Sequence, residues 1–576
     1  MIFACPVTEQ RFLLRHIAAV DDLIGSDRFE TLDTDVIEAI IHGSAEFAEG
    51  EFAPLLRIGD DPGPRWTQGK VVMPDGFREA YAAFIESGWG TIASPSAYGG
   101  QGLPFSLATL VLENLSAANL GFAACPTLTA GAIEAIEAHG STDQKSRWLP
   151  KLISGEWSGT MNLTEPQAGS DVGALRTVAE PTENGLYRIK GQKIFISFGE
   201  HDLAANIVHL VLARLPDAPP GSKGISLFLV PRQRLDADGN PGPANDVRCA
   251  SIEHKLGLHA SPTCIMVYGD NDECLGELLG SENGGLRAMF TMMNNARINV
   301  GNQGIQVAER ARQLALAYAR DRIQSPRADR SSGLEPVAII GHPDVRRMIL
   351  RMNALTQAAR ALLYYASGQL DRAHLGDAQA LVRAELMTPL VKAYGSDVGC
   401  EVAALGVQVH GGMGFIEETG AAQHYRDARI MPIYEGTNGI QAADLVGRKL
   451  VGDKGMGLAS LLAEIRADVG TAPTIMALAQ AVERVAQWMI AAPINDRLAG
   501  SYPFMQMTSV LTAAWLMARQ EALLDADADP PDFAAGKRAA VRFYLTCIVP
   551  EATGLGAAAQ SGAALLYDIT DEALTA

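Results

Sequence analysis

The stretch Tyr425-Arg-Asp-Ala-Arg-Ile-Met-Pro-Ile-Tyr-Glu-Gly-Thr-Asn-Gly-Ile-Gln441 lies between two helical patterns and decides how the chain is read. Glu435 follows the apolar pair Ile433-Tyr434 and precedes Gly436. A carboxylate in apolar surroundings has its charged form disfavoured, so its pKa rises toward useful basicity. The ordinary fate of such a glutamate is a surface loop. Arg426, Asp427 and Arg429 read by default as a structural ion-pair cluster. Residue types alone leave both readings open here.

Three further segments carry chemistry when read outward from this one. Gln408-Val-His-Gly-Gly-Met-Gly-Phe415 has three glycines that let backbone approach a ligand, although such a cluster is more often a tight turn. His410 within it is more often structural than catalytic. Gly191-Gln-Lys-Ile-Phe-Ile-Ser197 places an aromatic and a hydroxyl two residues apart, on one face of a strand. That pair suits stacking on a flat ring with a hydrogen bond to its edge; a core Phe beside a solvated Ser is the commoner outcome. Met161-Asn-Leu-Thr-Glu-Pro-Gln-Ala-Gly-Ser-Asp-Val-Gly173 offers Thr164, Ser170, backbone amides and Gly169 to a polar cofactor or phosphate. Physics alone favours an ordinary Ser/Asp turn there.

The texture between these segments sets the fold. Residues up to about 155 read as helical, with apolar residues at helical spacing over Thr34 to Ala48 and Gly76 to Ser87. Asp75 is the expected cap of the second. From about 156 to 275 short β-branched runs dominate, with strands at Ile207 to Leu215, Ile225 to Val230 and Cys264 to Tyr268. Arg214 to Gly224 and Arg232 to Ala250, rich in Pro, Gly and Asp, read as loops, and the unit as a small barrel or sandwich. Helices return over Gly284 to Arg322, Pro343 to Gln369 and Asp377 to Gly406, and make a bundle with the helix after Gly436. Beyond Gly455 lies a further all-α unit: a helix from Pro473, one from Phe504 to Leu524, and a last one through Cys547.

The 576 residues hold 47 Lys plus Arg against 66 Asp plus Glu, a formal charge of −19. So acidic a chain is a poor generic partner for nucleic acid, though a local basic pocket can still hold a polyanionic small ligand. Its seven cysteines are scattered without CxxC spacing, which argues against a disulfide framework and a zinc site; no metal is expected. No secretory signal and no membrane span are read, so the expected location is the cytoplasm.

Taken together and in this order, the segments resemble the acyl-CoA dehydrogenase family. The matching runs are Leu163-Thr-Glu-Pro-Gln-Ala-Gly-Ser-Asp171, Lys193-Ile-Phe-Ile-Ser197, Lys255-Leu-Gly257 with Ser261 and Thr263, Gln408 to Phe415, Arg426-Asp-Ala-Arg-Ile430 and Ile433-Tyr-Glu-Gly-Thr437. The helix around Arg297, continuing to Tyr318-Ala-Arg-Asp-Arg322, also matches, and the likeness spans about residues 40 to 450. It implies an α+β multidomain fold: an N-terminal helical domain (40–155), a middle β domain (156–275) and a helical bundle (276–452). A lead (1–39) and an additional C-terminal helical domain (453–576) flank them.

The resemblance also implies FAD, an acyl-CoA substrate and electron-transfer flavoprotein as acceptor. Met161, Leu163, Thr164, Gly169 and Ser170 would border the flavin, Ser170 also lying near CoA. Phe195 would stack on the ring, where the family often has Trp, and Ser197 would bond its reactive edge. Arg322 and Gln324 would reach the FAD pyrophosphate of a neighbouring subunit, Gln408 and Gly412 its adenosine end, and Thr437 the cofactor too. Arg297 would contact the CoA ester, Tyr434 and Gly436 would line the substrate, and Glu435 would be the base. After Arg322 the chain reads Ile-Gln-Ser-Pro326 in place of the family's Gln-Phe-Gly, which suggests an altered subunit contact.

The length and the lead containing Arg11-Phe-Leu-Leu14 are similar to a long bacterial subfamily that includes 3-(methylthio)propanoyl-CoA dehydrogenases. That likeness implies a short- or medium-chain acyl-CoA, or 3-(methylthio)propanoyl-CoA, and a homodimer whose added helices cover surface that a second dimer covers in shorter members. An acyl-CoA oxidase would share fold and base. A nucleic-acid-binding relative needs a basic surface, which the charge opposes, and a purely structural helical protein would not need the ordered motifs.

Overall fold

Regular capping starts several of the helices in residues 25–296. Asp33 accepts from the amide of Val36 at 2.8 Å and opens Thr34–Phe47, whose Ile37, Ile40, Ile41, Ser44 and Ala45 are buried at helical spacing. Asn119 opens Leu120–His139, and Ser141 with Gln144 forms a capping box at Thr142–Ile153. The cap expected from Asp75 is absent: Gly76 itself, at φ 85°, starts Phe77–Ser87 with no side-chain cap. A hairpin, Arg65–Thr67 with Lys70–Val72, also escaped the sequence reading. It turns on Gln68 and Gly69, both at positive φ, the conformation a two-residue hairpin loop needs.

The chain falls into two compact units, Gly25–Ala296 and Met1–Ile24 with Arg297–Ala576. The computed structural model describes residues 3–236, 238–469 and 472–575.

In the first unit one eight-stranded sheet runs in the order Val247–Ile252, Thr263–Tyr268, Tyr187–Ser197, Leu275–Leu279, Ile225–Pro231, Asn206–Arg214, Trp157–Asn162. Val178–Pro181 pairs alongside Tyr187–Ser197 and Asn206–Arg214. Asn206–Arg214 and Ile225–Pro231 are buried along nearly their whole length, the pattern of strands covered on both faces. Trp148, Trp157, Leu210, Leu227, Met289 and Met292 belong to one core between this sheet and the neighbouring helices. The segment Arg232 to Ala250 is not a plain loop: it holds the hairpin Gln233–Leu235 with Pro241–Ala244 and the start of Val247–Ile252. Its Pro and Gly sit on a short edge ribbon, where a missing donor costs little.

In the second unit the helix Gly285–Asp321, which begins within the first, continues past Arg297. Pro343–His374 and Ala378–His410 follow. The crossing of Gly285–Asp321 with Ala378–His410 is unusually close, because glycines face each other. A Cβ on Gly395 would lie 2.4 Å from the carbonyl oxygen of Gly301. Gly395→Ala is therefore expected to cost about 1–3 kcal/mol by overpacking. A urea midpoint equal to that of the unchanged protein would show that the helices separate freely.

Beyond Gly455 come Met456–Val469, Pro473–Ala491, Ser501–Ala522 and Pro531–Phe543. The helix expected to end with Cys547 gives way at Tyr544 to a wider turn, and short helices continue to Leu574. The N-terminal Val7–Leu13 is tied to this region: Lys537 Nζ, fully buried, donates to Glu9 at 2.6 Å and lies 5.2 Å from the centre of the Phe12 ring. Among the described residues no helix is long and apolar enough to cross a membrane.

Candidate active site

Two side-chain groups stand out, one in each unit. In the second unit the helix Ala421–Ala428 ends and the chain turns through Glu435 at φ 53° and Gly436 at φ 80°. Thr437 then caps Asn438–Asp444 by accepting from the amide of Ile440 at 3.2 Å. A non-glycine residue in the left-handed region costs about 1–3 kcal/mol and persists only where its surroundings hold it. Here they do. The Tyr434 hydroxyl donates to Gln303. Gln441 Nε2 donates to the carbonyls of Gly436 at 3.2 Å and Glu435 at 3.4 Å, and the Asn438 amide donates to Pro432 O at 3.0 Å. Gly436 is required: besides its positive φ, a Cβ would fall 2.8 Å from Gln441 Nε2. Among the described residues no acceptor is bonded to the backbone N–H of Glu435.

Glu435 is half-buried. Desolvation pushes its pKa above the usual carboxylate value, against the opposing pull of Arg297 and Lys392. Both cations are themselves buried. Burial pulls Arg297 below its usual value, with Asp444 opposing; its Nη1 lies 3.9 Å from Asp444 Oδ2, and among the described residues its Nε has no partner. Burial lowers Lys392 to about 8 against the carboxylates of Asp397 and Glu435, and its Nζ donates to Asn438 Oδ1 at 2.9 Å. The result is a carboxylate whose affinity for a proton is raised by burial while two buried cations still favour its ionised form, the property of a general base.

The other group lies at the end of strand Tyr187–Ser197. Two residues of this strand, Ile194 and Phe195, stand against one of Thr263–Tyr268, so the strand bulges. Phe195 takes φ 60°, and the residue is 60% exposed. A large apolar ring held out to solvent by a strained backbone marks a contact surface. Ser197, two residues on, is half-buried and pairs with Thr263.

The loop after Trp157–Asn162 is fastened beside them. Ile194 N donates to Thr164 O at 2.9 Å, and Lys193 Nζ donates to Leu163 O at 3.0 Å and Glu165 at 2.8 Å. Glu165 also accepts from Arg176 N at 2.7 Å, Gln167 Nε2 at 2.7 Å, Thr177 N at 3.0 Å and Thr177 Oγ1 at 2.6 Å. Burial would raise Glu165, but Lys193 and these donors outweigh it and hold the carboxyl down to about 2. Burial also weakens the hold of Lys193 on its proton; the carboxylate, with five donors, is the firmer half of the pair. Leu163 and Thr164 are thereby set next to Phe195, with Met161 buried and Gly169 and Ser170 exposed further along.

The remaining expected residues are spread out. Arg322 and Gln324 are exposed just after the helix Gly285–Asp321, where Gln324 N donates to Val337 O at 3.0 Å. Gln408 is exposed near the end of its helix, and Gly412 is open on its side-chain face, with no atom within 4 Å of a Cβ. His410 is structural: its Nδ1 lies 2.7 Å from Gly406 O and its ring stacks on Tyr318 at 4.4 Å. Arg426 pairs with Glu417 at 2.9 Å. Sequence reasoning missed Lys392, Asp397, Asn438 and Gln441. The available signal was a Lys and an Asp, the two charged residues inside the run Pro389 to Gly399.

The chain matches the family models described as "Acyl-CoA dehydrogenase, N-terminal domain" at residues 35–156, "middle domain" at 160–270 and "C-terminal domain" at 283–450. Residues 451–570 match "Acetyl-CoA dehydrogenase C-terminal like". It is 46% identical to a 3-methylmercaptopropionyl-CoA dehydrogenase of Ruegeria pomeroyi, over 89% of this chain and 90% of that protein. It is 35% identical to a butyryl-CoA dehydrogenase of Syntrophomonas wolfei, over 98% of each. In fold it is similar to an acyl-CoA dehydrogenase from Bacillus anthracis solved with FAD, with a TM-score of 0.74 and 23% identity over 98% of this chain and 93% of that one.

Proposed function

The chain belongs to the acyl-CoA dehydrogenase family, and from that premise we propose that Glu435 is the base that removes the α-proton as an acyl-CoA thioester is oxidised to its trans-2-enoyl form. The observation that carries this reading is the half-buried Glu435 carboxylate, raised in basicity and fixed in a strained turn beside Arg297. FAD, when bound, supplies the two-electron acceptor for the hydride that leaves the β-carbon. The exposed ring of Phe195 and the hydroxyls of Ser197 and Thr164 fit such a flat, polar-edged group.

Glu435 takes the α-proton onto its carboxylate, and the electron pair of that C–H bond becomes the new C=C bond. The backbone N–H of Glu435 steadies the thioester oxygen as negative charge builds on it. Arg297 and Ser170 hold the CoA ester, and Tyr434 and Gly436 border the acyl chain. Met161, Leu163 and Gly169 border the flavin, Gln408, Gly412 and Thr437 hold its other end, and Arg322 and Gln324 serve the cofactor of a second copy in a homodimer. Electron-transfer flavoprotein is the acceptor, and the scattered cysteines without CxxC spacing suit a reducing cytoplasm.

The substrate we favour is 3-(methylthio)propanoyl-CoA or a short- to medium-chain acyl-CoA, on the strength of the Ruegeria relative. A thioether and a methylene differ little in volume, so discrimination between them is expected to be within about 10–200-fold. Anaerobic titration of the yellow protein with a panel of acyl-CoAs tests both points. Bleaching by 3-(methylthio)propanoyl-CoA and short chains is the expected result. A wide preference for long chains would overturn the substrate, and no bleaching by any thioester would overturn the reaction.

A further inference from the structure

The region beyond Gly455 supplies no group to the proposed chemistry, yet it touches the loop that carries Glu435 through one carboxylate. On the helix Ser501–Ala522, Tyr502 and Gln506 stand one turn apart on the same face. Both donate to Oδ2 of Asp397, the Tyr502 hydroxyl at 2.7 Å and Gln506 Nε2 at 2.5 Å. The other oxygen of Asp397 accepts from Asn438 Nδ2 at 2.8 Å. Asn438 is also gripped by Lys392, 2.9 Å from its Oδ1, and by Ser396, whose Oγ accepts from its Nδ2 at 3.0 Å. Asn438 is the first residue of the helix that closes the turn, three positions after Glu435.

We propose that Tyr502 and Gln506 are positioning residues for Glu435: they fix Asp397, which clamps Asn438 and so holds the Glu435–Gly436 turn in its left-handed conformation. This rests on the reading of Glu435 as the base. A carboxylate turns easily about its last torsion unless both oxygens are engaged. With its Oδ2 donors removed, Asp397 is free to rotate, and the Asn438 amide loses a fixed acceptor. A left-handed Glu435 then relaxes toward ordinary backbone conformations, because nothing intrinsic to the residue favours φ 53°. Burial pushes the Asp397 pKa up while Tyr502, Asn438, Gln506 and Lys392 pull it down. Losing two of those donors therefore also moves Asp397 toward its protonated form, a poorer acceptor. The brace comes from outside the three domains matched at 35–156, 160–270 and 283–450, and gives the added helices a role in the reaction.

The test uses the full-length, FAD-loaded protein with Tyr502→Phe and with Tyr502→Phe/Gln506→Leu. Three quantities are read: the anaerobic single-turnover rate of flavin bleaching by butyryl-CoA, its isotope effect with butyryl-CoA deuterated at the α-carbon, and hydrogen–deuterium exchange of the 430–441 segment. The double variant is expected to bleach about 30–100-fold more slowly, the loss that roughly 1 Å of misplacement brings, with butyryl-CoA affinity within about twofold. Its α-isotope effect is expected to rise and its 430–441 amides to exchange faster. A merely structural role would move melting temperature but not the isotope effect. Unchanged rate, isotope effect and exchange in a folded double variant would overturn the proposal. Should the double variant not fold, Tyr502→Phe, which removes one hydroxyl from a part-exposed ring, decides alone: a slowing below about threefold overturns it. Glu435→Gln is run alongside. If that variant bleaches normally, it is the assignment of the base that falls, while exchange of 430–441 still reads the clamp.

Discussion

Glu435→Gln is expected to slow anaerobic bleaching of the bound flavin by an acyl-CoA by about 10²–10⁴-fold, the usual contribution of a positioned general base. The amide is nearly isosteric with the carboxylate, so the Gln441 contacts to the backbone carbonyls of residues 435 and 436 survive and the turn stays folded. Acyl-CoA should still bind, because Arg297, Tyr434 and the backbone are untouched. The loss should therefore appear in the chemical step and not in affinity. The pH profile gives a second check. Desolvation raises the pKa of Glu435, and only the ionised form accepts a proton. Activity of the unchanged protein falls as pH drops through that raised pKa, and the residual rate of the variant should lack this acid limb. Near-normal bleaching by the variant would remove Glu435 from the mechanism.

The largest effect on stability is expected from Glu165→Ala. Its carboxylate is 4% exposed and accepts from five donors, and the mutation leaves Lys193 buried without its counter-charge. Breaking one side of a buried ion pair costs about 3–5 kcal/mol. The sign with pH is fixed by the carboxyl. Its folded pKa, about 2, lies below its ordinary value of 4.5, so its contribution is fully present above the ordinary value and is lost as pH falls toward 2. Urea unfolding should show a large gap between the two proteins at pH 7 that narrows below about pH 4.5. The same variant should release FAD more readily, since the loop bearing Leu163 and Thr164 loses its fastening to the strand of Phe195. Equal unfolding midpoints at pH 7 would show that Lys193 finds water or another partner.

How much could be read from residues alone depended on the range of the interaction. Glu435 and Phe195 sit in short motifs whose glycines, aromatic and hydroxyl are adjacent in sequence, and the helices follow local apolar periodicity. The Asp75 cap failed because Gly76 accepts a backbone conformation that dispenses with one. The hairpin at residues 65–72 was missed because Gln-Gly is a weaker turn signal than Asn-Gly. Phe195 was legible as an aromatic near a hydroxyl, but the bulge that exposes it depends on the register against Thr263–Tyr268. Asp397 was invisible because its partners lie between 41 and 109 residues away. No local pattern encodes such a meeting.

The tie between Glu9 and Lys537 sets a timetable for synthesis. The two residues are 528 positions apart, so the first helix cannot dock against its final partner until almost the whole polypeptide has left the ribosome. At about 5–20 residues per second, that wait is on the order of half a minute to two minutes. During it Phe12 lacks Phe533, whose ring centre lies 5.6 Å from its own, and has only transient cover on that side, the situation in which a nascent chain recruits holding chaperones. A chain cut short before Lys537 would keep Glu9 without its buried cation and the lead unsecured, and would present quality-control proteases with a loose amino-terminal end.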